Sequence, residues 1–355
     1  MKVLGLDLIQ PTYSDKVNHL RAAAALWIFV FHYYHFIAHS FFEPLQSQNP
    51  FLLLVYHGYF FVYLFFILSG YLLAKAYPHK LDLKSFFAKR IGSIFPAYYL
   101  CIFVYSLLFA TGILELKLFL IIFSFDLGAY PRLLGYLWFI NRLLECYLSF
   151  PLLWWIAQKT GQTGLATSYL LCLLAGAVWV IYFQVTLPDY YFSLVLCLSH
   201  FILGMLAAKF TATSKHALSL VISIVIFMSL LECLHQSIWQ TPLAYTWISL
   251  LWLNFIAVLF VVILRAYLLT VIYLPQLISV LMQKMGNISY SFYLYHFLVL
   301  HFFIIHREYL STDNSLNFMG LFMISTISAV FFQWLLSMMT HAVLVIRQGI
   351  RATLG

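Results

Sequence analysis

HLRAAAALWIFVFHYYH, residues 19–35, is an apolar stretch with an arginine near its start and a histidine near its end. Arg21 and His32 lie eleven residues apart. Eleven helical steps of about 100° come within about 20° of three full turns, so a helix puts both side chains on one face. Their axial separation is about 16 Å, near half of a ~30 Å hydrocarbon core. A cation at the membrane edge and an imidazole at mid-depth on one stripe suggest a site that receives a charged ligand and does chemistry inside the membrane.

The rest of the chain agrees with a membrane setting. Of 355 residues, 64% are hydrophobic and only 8% charged, where soluble domains carry about 25% charged residues. The expected fold class is all-α, a polytopic membrane helix bundle of about ten transmembrane helices. It forms one transmembrane domain over 1–355 with no appended soluble domain. Spans are expected near 20–42, 51–77, 91–111, 136–157, 165–186, 190–210, 217–236, 243–266, 287–306 and 317–346, each long enough for the ~20 apolar residues of a crossing. The segments 113–125 and 267–283 are short or broken by proline, and are expected to be interfacial or re-entrant.

A net charge of +8 could point to nucleic acid, but its distribution points to topology. With the N-terminus inside, the 19 lysines and arginines all fall on the inner side except Lys117, Arg132, Arg307 and the intramembrane Arg142. Most acids, including Glu43, Glu115, Asp126, Glu232 and Asp313, fall outside. This positive-inside bias places both termini in the cytoplasm. Small residues Ala22–Ala25 open the first apolar run where a cleavage site would close it, so no cleavable signal is expected. The five cysteines include no CxxC pair and read as small hydrophobes, without disulfides or metal.

An ionisable side chain at mid-bilayer costs roughly 2.5–3.5 kcal/mol on insertion scales, so each needs a reason. For His32 the plain reason is a bond to a neighbouring helix; the arginine on its stripe favours function. His35 and His39 continue that stripe. Three histidines on a face suggest zinc, yet Tyr33 and Tyr34 beside them fit an aromatic interface belt, and no metal is expected. In WFINRLLECYLSFPLL, residues 138–153, Arg142 and Glu145 are three apart and can pair on one helix face. Glu145 could also orient an imidazole or hold a sugar hydroxyl. In GNISYSFYLYHFLVLH, a helix start at 286–301, Ser289, Tyr293, His296 and Leu300 share a face, with Tyr293 placed to hydrogen-bond His296. Lys84, Lys89 and Arg90 sit in an inner loop on the same membrane side as Arg21, where they can hold a phosphorylated ligand; Pro96 follows to aim them.

Taken together, these segments resemble the acyltransferase-3 family, integral membrane O-acyltransferases of bacterial surface polysaccharides. Arg21-x10-His32 resembles its first-helix signature, and LFFILSGYLL (64–73) its FFxLSGFL segment. FFAKRIGSIFPAYY (86–99) resembles its basic stretch before Ile-x-Pro-x-Tyr. WFINRLLECYLSFPLL places Glu145 on the family's glutamate, and ISYSFYLYH (288–296) resembles its Ser-Tyr-x-x-Tyr-Leu-x-His helix. The chain departs at Ser93, where many members carry a second arginine, and at Arg347 and Gln348, where an acidic-Pro motif often follows the last helix.

The resemblance implies acetyl-CoA as donor and a membrane O-acetyltransferase in the bacterial inner membrane, acting on a lipid-linked or surface saccharide such as lipopolysaccharide O-antigen. Arg21, Lys84, Lys89 and Arg90 would then bind the donor. His32, with Glu145 and His296, would be catalytic, and Arg142, Tyr293 and His35 would meet the acceptor. His32 would act as a general base, oriented by Glu145 or His296, or carry the acetyl group briefly. The main alternative class is a polytopic transporter or flippase, against which stands the lack of repeated halves and paired broken helices.

Overall fold

The computed structural model describes residues 2–3, 6–38, 55, 57–109, 132–183, 190–209 and 242–354. Among them run eight α-helices: α1 (Tyr13–Phe36), α2 (Phe61–Ala76), α3 (Leu83–Phe109), α4 (Trp138–Tyr182), α5 (Leu194–Lys209), α6 (Pro242–Leu269), α7 (Gln276–Ile305) and α8 (Asn314–Leu354). Three short antiparallel strands, β1 (Lys2–Val3), β2 (Leu6–Ile9) and β3 (Leu274–Pro275), pair in the order β1-β2-β3.

Among the described residues five helices are long and apolar enough to cross a membrane: Gly58–Ala76, Leu83–Phe109, Gly135–Tyr182, Gln276–Ile305 and Asn314–Thr340. The all-α membrane reading therefore holds at that level. α1 is 24 residues long, carries Asp15, Lys16, Arg21 and three histidines, and is not among those five. The expected span 217–236, the segment 113–125 and His39 lie outside the described residues.

The expected spans 136–157 and 165–186 fall on either side of a break in α4 at Gly161, whose φ of 66° and ψ of −141° leave the helical region. Glycine adopts a positive φ without the Cβ penalty other residues incur. Two expectations need correction. The segment 267–283 contains the end of α6, β3 and the first turns of α7, so the helix that carries His296 begins at Gln276 and not at the glycine of GNISYS. Finally, Lys84, Lys89 and Arg90 are not in a loop: α3 has begun at Leu83 and continues unbroken past Pro96.

The chain divides into two compact units. The first contains residues 1–20, 60–83 and 138–283. Its α2 and α5 pack backbone to backbone, because a Cβ at Gly70 would strike the Phe201 carbonyl and one at Gly204 the Ile67 carbonyl. Small residues allow this approach, and close van der Waals contact is what drives helix association in a membrane. In the same unit Thr12 and Asp15 cap α1 reciprocally: the Asp15 amide donates to Thr12 Oγ1 at 3.2 Å and the Thr12 amide to Asp15 Oδ2 at 2.9 Å. Buried Lys16 donates to the carbonyls of Leu268 and Thr270, at 3.4 and 2.6 Å, where α6 ends and its last carbonyls lack helical partners.

The second unit contains residues 21–59, 84–137 and 284–355. Its core is aromatic: Phe29 of α1 meets Phe292 of α7 and Phe318 and Phe322 of α8 at ring separations of 5.5–5.7 Å. That packing locks α1 against α7 at the level of His32.

Candidate active site

His32 and His296, 264 residues apart in the chain, meet in the second unit: His32 Nδ1 lies 2.8 Å from His296 Nε2. The rings are near-parallel, at 15°, with centroids 5.1 Å apart. His296 is fully buried and His32 partly buried. His296 Nδ1 is 2.9 Å from the carbonyl oxygen of Phe292, one turn earlier in α7. Around the pair stand Phe29, Phe36, Tyr136, Phe292 and Phe297. An imidazole in such a wall can exchange a proton while bulk water is excluded.

Tyr293 and Tyr136 brace the helix from behind. The Tyr293 hydroxyl donates to the Tyr136 carbonyl, and the Tyr136 hydroxyl donates to the Leu294 carbonyl at 2.8 Å. The expected hydrogen bond from Tyr293 to His296 is thus replaced by one to the backbone of residue 136, and only the Tyr293 ring, 5.9 Å away, faces the imidazole. Spacing of three residues allowed contact; the rotamer was decided by an acceptor on another segment.

His35 is exposed, with its ring 5.7 Å from Phe31 and 4.8 Å from Phe36. Phe31 in turn meets Tyr59 at 5.5 Å, so His35 borders an aromatic surface next to His32. Among the described residues no group of three His, Cys, Asp or Glu could hold a metal ion.

Glu145 belongs to the first unit. Arg142 Nη1 lies 2.6 and 2.7 Å from its two carboxylate oxygens, and both residues are buried. Arg142 Nε also donates to the Phe192 carbonyl at 2.7 Å. The pair satisfies its own charges, as spacing on one helix face allows. Arg21, Lys84, Lys89 and Arg90 belong to the same unit as His32, with Lys84 and Lys89 exposed and Arg21 and Arg90 partly buried.

Sequence reasoning passed over the Thr12–Asp15–Lys16 clamp and Gly204. Thr-x-x-Asp before a helix is a readable capping signal, but Gly204 gains meaning only from the helix it faces. One family model, described as an acyltransferase domain, matches residues 14–338. No curated protein and no solved structure matches.

Proposed function

The chain belongs to the acyltransferase-3 family, and from that premise we propose that it moves an acetyl group from cytosolic acetyl-CoA to a hydroxyl of a cell-envelope glycan such as lipopolysaccharide O-antigen. The contact that carries this reading is the 2.8 Å approach of His32 to His296 inside an aromatic wall. A hydroxyl is a weak nucleophile at neutral pH, so a positioned base must take its proton as it attacks. His32 takes the proton, the hydroxyl oxygen bonds to the thioester carbonyl carbon, and the carbon–sulfur bond breaks. The departing thiolate recovers the proton from the imidazolium.

Arg21, Lys84, Lys89 and Arg90 suit the CoA phosphates: guanidinium groups form bidentate bonds to phosphate and ammonium groups act as mobile point charges. The concentration of basic residues on the inner side supports donor entry from the cytosol, in a bacterial cytoplasmic membrane with both termini inside. His35, beside Phe31 and Phe36, is the acceptor contact this arrangement favours.

Purified protein in detergent, given labelled acetyl-CoA and an O-antigen acceptor, should yield acetylated glycan and CoA thiol. His32→Ala should lower turnover by about 10²-fold or more without loss of folded protein, the size of a lost general base. Undiminished turnover in that variant would remove His32 from the mechanism. Turnover without a sealed compartment also separates this reading from transport.

A further inference from the structure

The two nitrogens of an imidazole differ, and which one carries the hydrogen is set by what the other faces. His296 Nδ1 faces the Phe292 carbonyl at 2.9 Å. A carbonyl oxygen only accepts, so Nδ1 carries the hydrogen, and in the neutral ring Nε2 holds a lone pair. That lone pair points at His32 Nδ1, 2.8 Å away. Two lone pairs repel at this distance, so His32 Nδ1 is the donor. The lone pair of neutral His32 is then on Nε2.

The competing arrangement has His296 charged and donating from both nitrogens. It would bury a cation on a side chain with 0% exposure, among the rings of Phe29, Phe292 and Phe297. A charge buried without a counter-ion is strongly disfavoured. The neutral pair has no such cost.

We propose that the backbone of α7 sets the tautomer of both histidines, making Nε2 of His32 the atom that accepts the hydroxyl proton and His296 the residue that positions it. The chemistry assigned to Nε2 rests on the acyltransferase reading above; the tautomer rests on the contacts alone. The Phe292 carbonyl lies one turn before His296 in the same helix, so the first link is local. The second link reaches across to α1. When His32 Nε2 takes a proton, the imidazolium goes on donating from Nδ1 to His296 Nε2, so the charge stays on the partly buried ring while His296 remains neutral, held by the Phe292 carbonyl. This provides in a nonpolar wall what a carboxylate provides in many hydrolase triads.

Nitrogen-15 spectra of the full chain labelled at histidine, in detergent, test the first half directly, with His32→Ala and His296→Ala spectra assigning the signals. The expected result is a neutral His32 ring protonated at Nδ1. A ring protonated at Nε2 would overturn the proposal. Kinetics test the second half. His296→Gln keeps an amide oxygen able to accept from His32 Nδ1, and should retain kcat within about tenfold, whereas His296→Phe keeps a ring without an acceptor and should lose about 10²–10⁴-fold in kcat at little changed KM for acetyl-CoA. Equal losses in both variants would make His296 a packing residue and overturn its positioning role. If His32→Ala still transfers acetyl groups while the wild-type spectrum shows Nδ1 protonated, the acyltransferase reading of His32 fails and takes the role of Nε2 with it. The tautomer then stands alone.

Discussion

Replacing Glu145 by Ala would leave the Arg142 guanidinium buried without its counter-charge. Breaking one side of a buried pair costs about 3–5 kcal/mol, whereas replacing both partners with apolar residues of similar volume is often neutral. Glu145→Ala should therefore unfold at a clearly lower temperature in detergent, and Arg142→Met with Glu145→Leu should recover most of that loss. A Glu145→Ala variant as stable as the parent but inactive would instead assign the carboxylate to the substrate. The Arg142–Glu145 pair was legible from sequence because three residues on a helix determine a shared face. The bond between His32 and His296 was only one of two alternatives that the resemblance implied, since nothing local relates residues 264 apart. Tyr293 shows the same limit from the other side: its spacing pointed to His296, but a carbonyl brought in at Tyr136 took its hydroxyl.

Between elements, the approach of α2 and α5 depends on two atoms that are not there. Gly204→Val would drive a side chain into the Ile67 carbonyl, an overpacking that costs typically 1–3 kcal/mol. Lower thermal stability and poorer recovery from the membrane are expected, measured against Gly92→Ala, where the added Cβ meets open space. LFFILSGYLL thereby acquires a physical reason for its glycine: Gly70 is where the Phe201 backbone passes. The start of α1 adds a pH dependence. Hydrogen bonds from Thr12 come first among the causes that hold the Asp15 carboxyl below the usual carboxylate range. A folded-state value below the unfolded one means the stabilisation is present above the ordinary carboxylate value and fades as pH falls through it. Melting curves at pH 7 and pH 3 should differ less in Asp15→Asn than in the parent, by the contribution of this cap. An undiminished difference would place the acid sensitivity elsewhere.

Across the molecule, charge and apolarity are divided along the chain in a way that any folded form must respect. Lys89→Gln with Arg90→Gln should raise the KM for acetyl-CoA several-fold and weaken its salt dependence with little change in kcat, because lost phosphate contacts reduce binding in the ground and transition states alike. An unchanged KM would move the donor phosphates to other cations. From sequence alone came the all-helical membrane class, the stripe joining Arg21 to His32, and the family resemblance that the match over 14–338 bears out. These rest on composition and helical period, which are local or additive. Tertiary structure alone decided that α2 and α5 meet backbone to backbone at Gly70 and Gly204, and that His296 reaches the imidazole of His32. Each of these depends on which distant surfaces come into contact, and a one-dimensional pattern carries no information about distance in space.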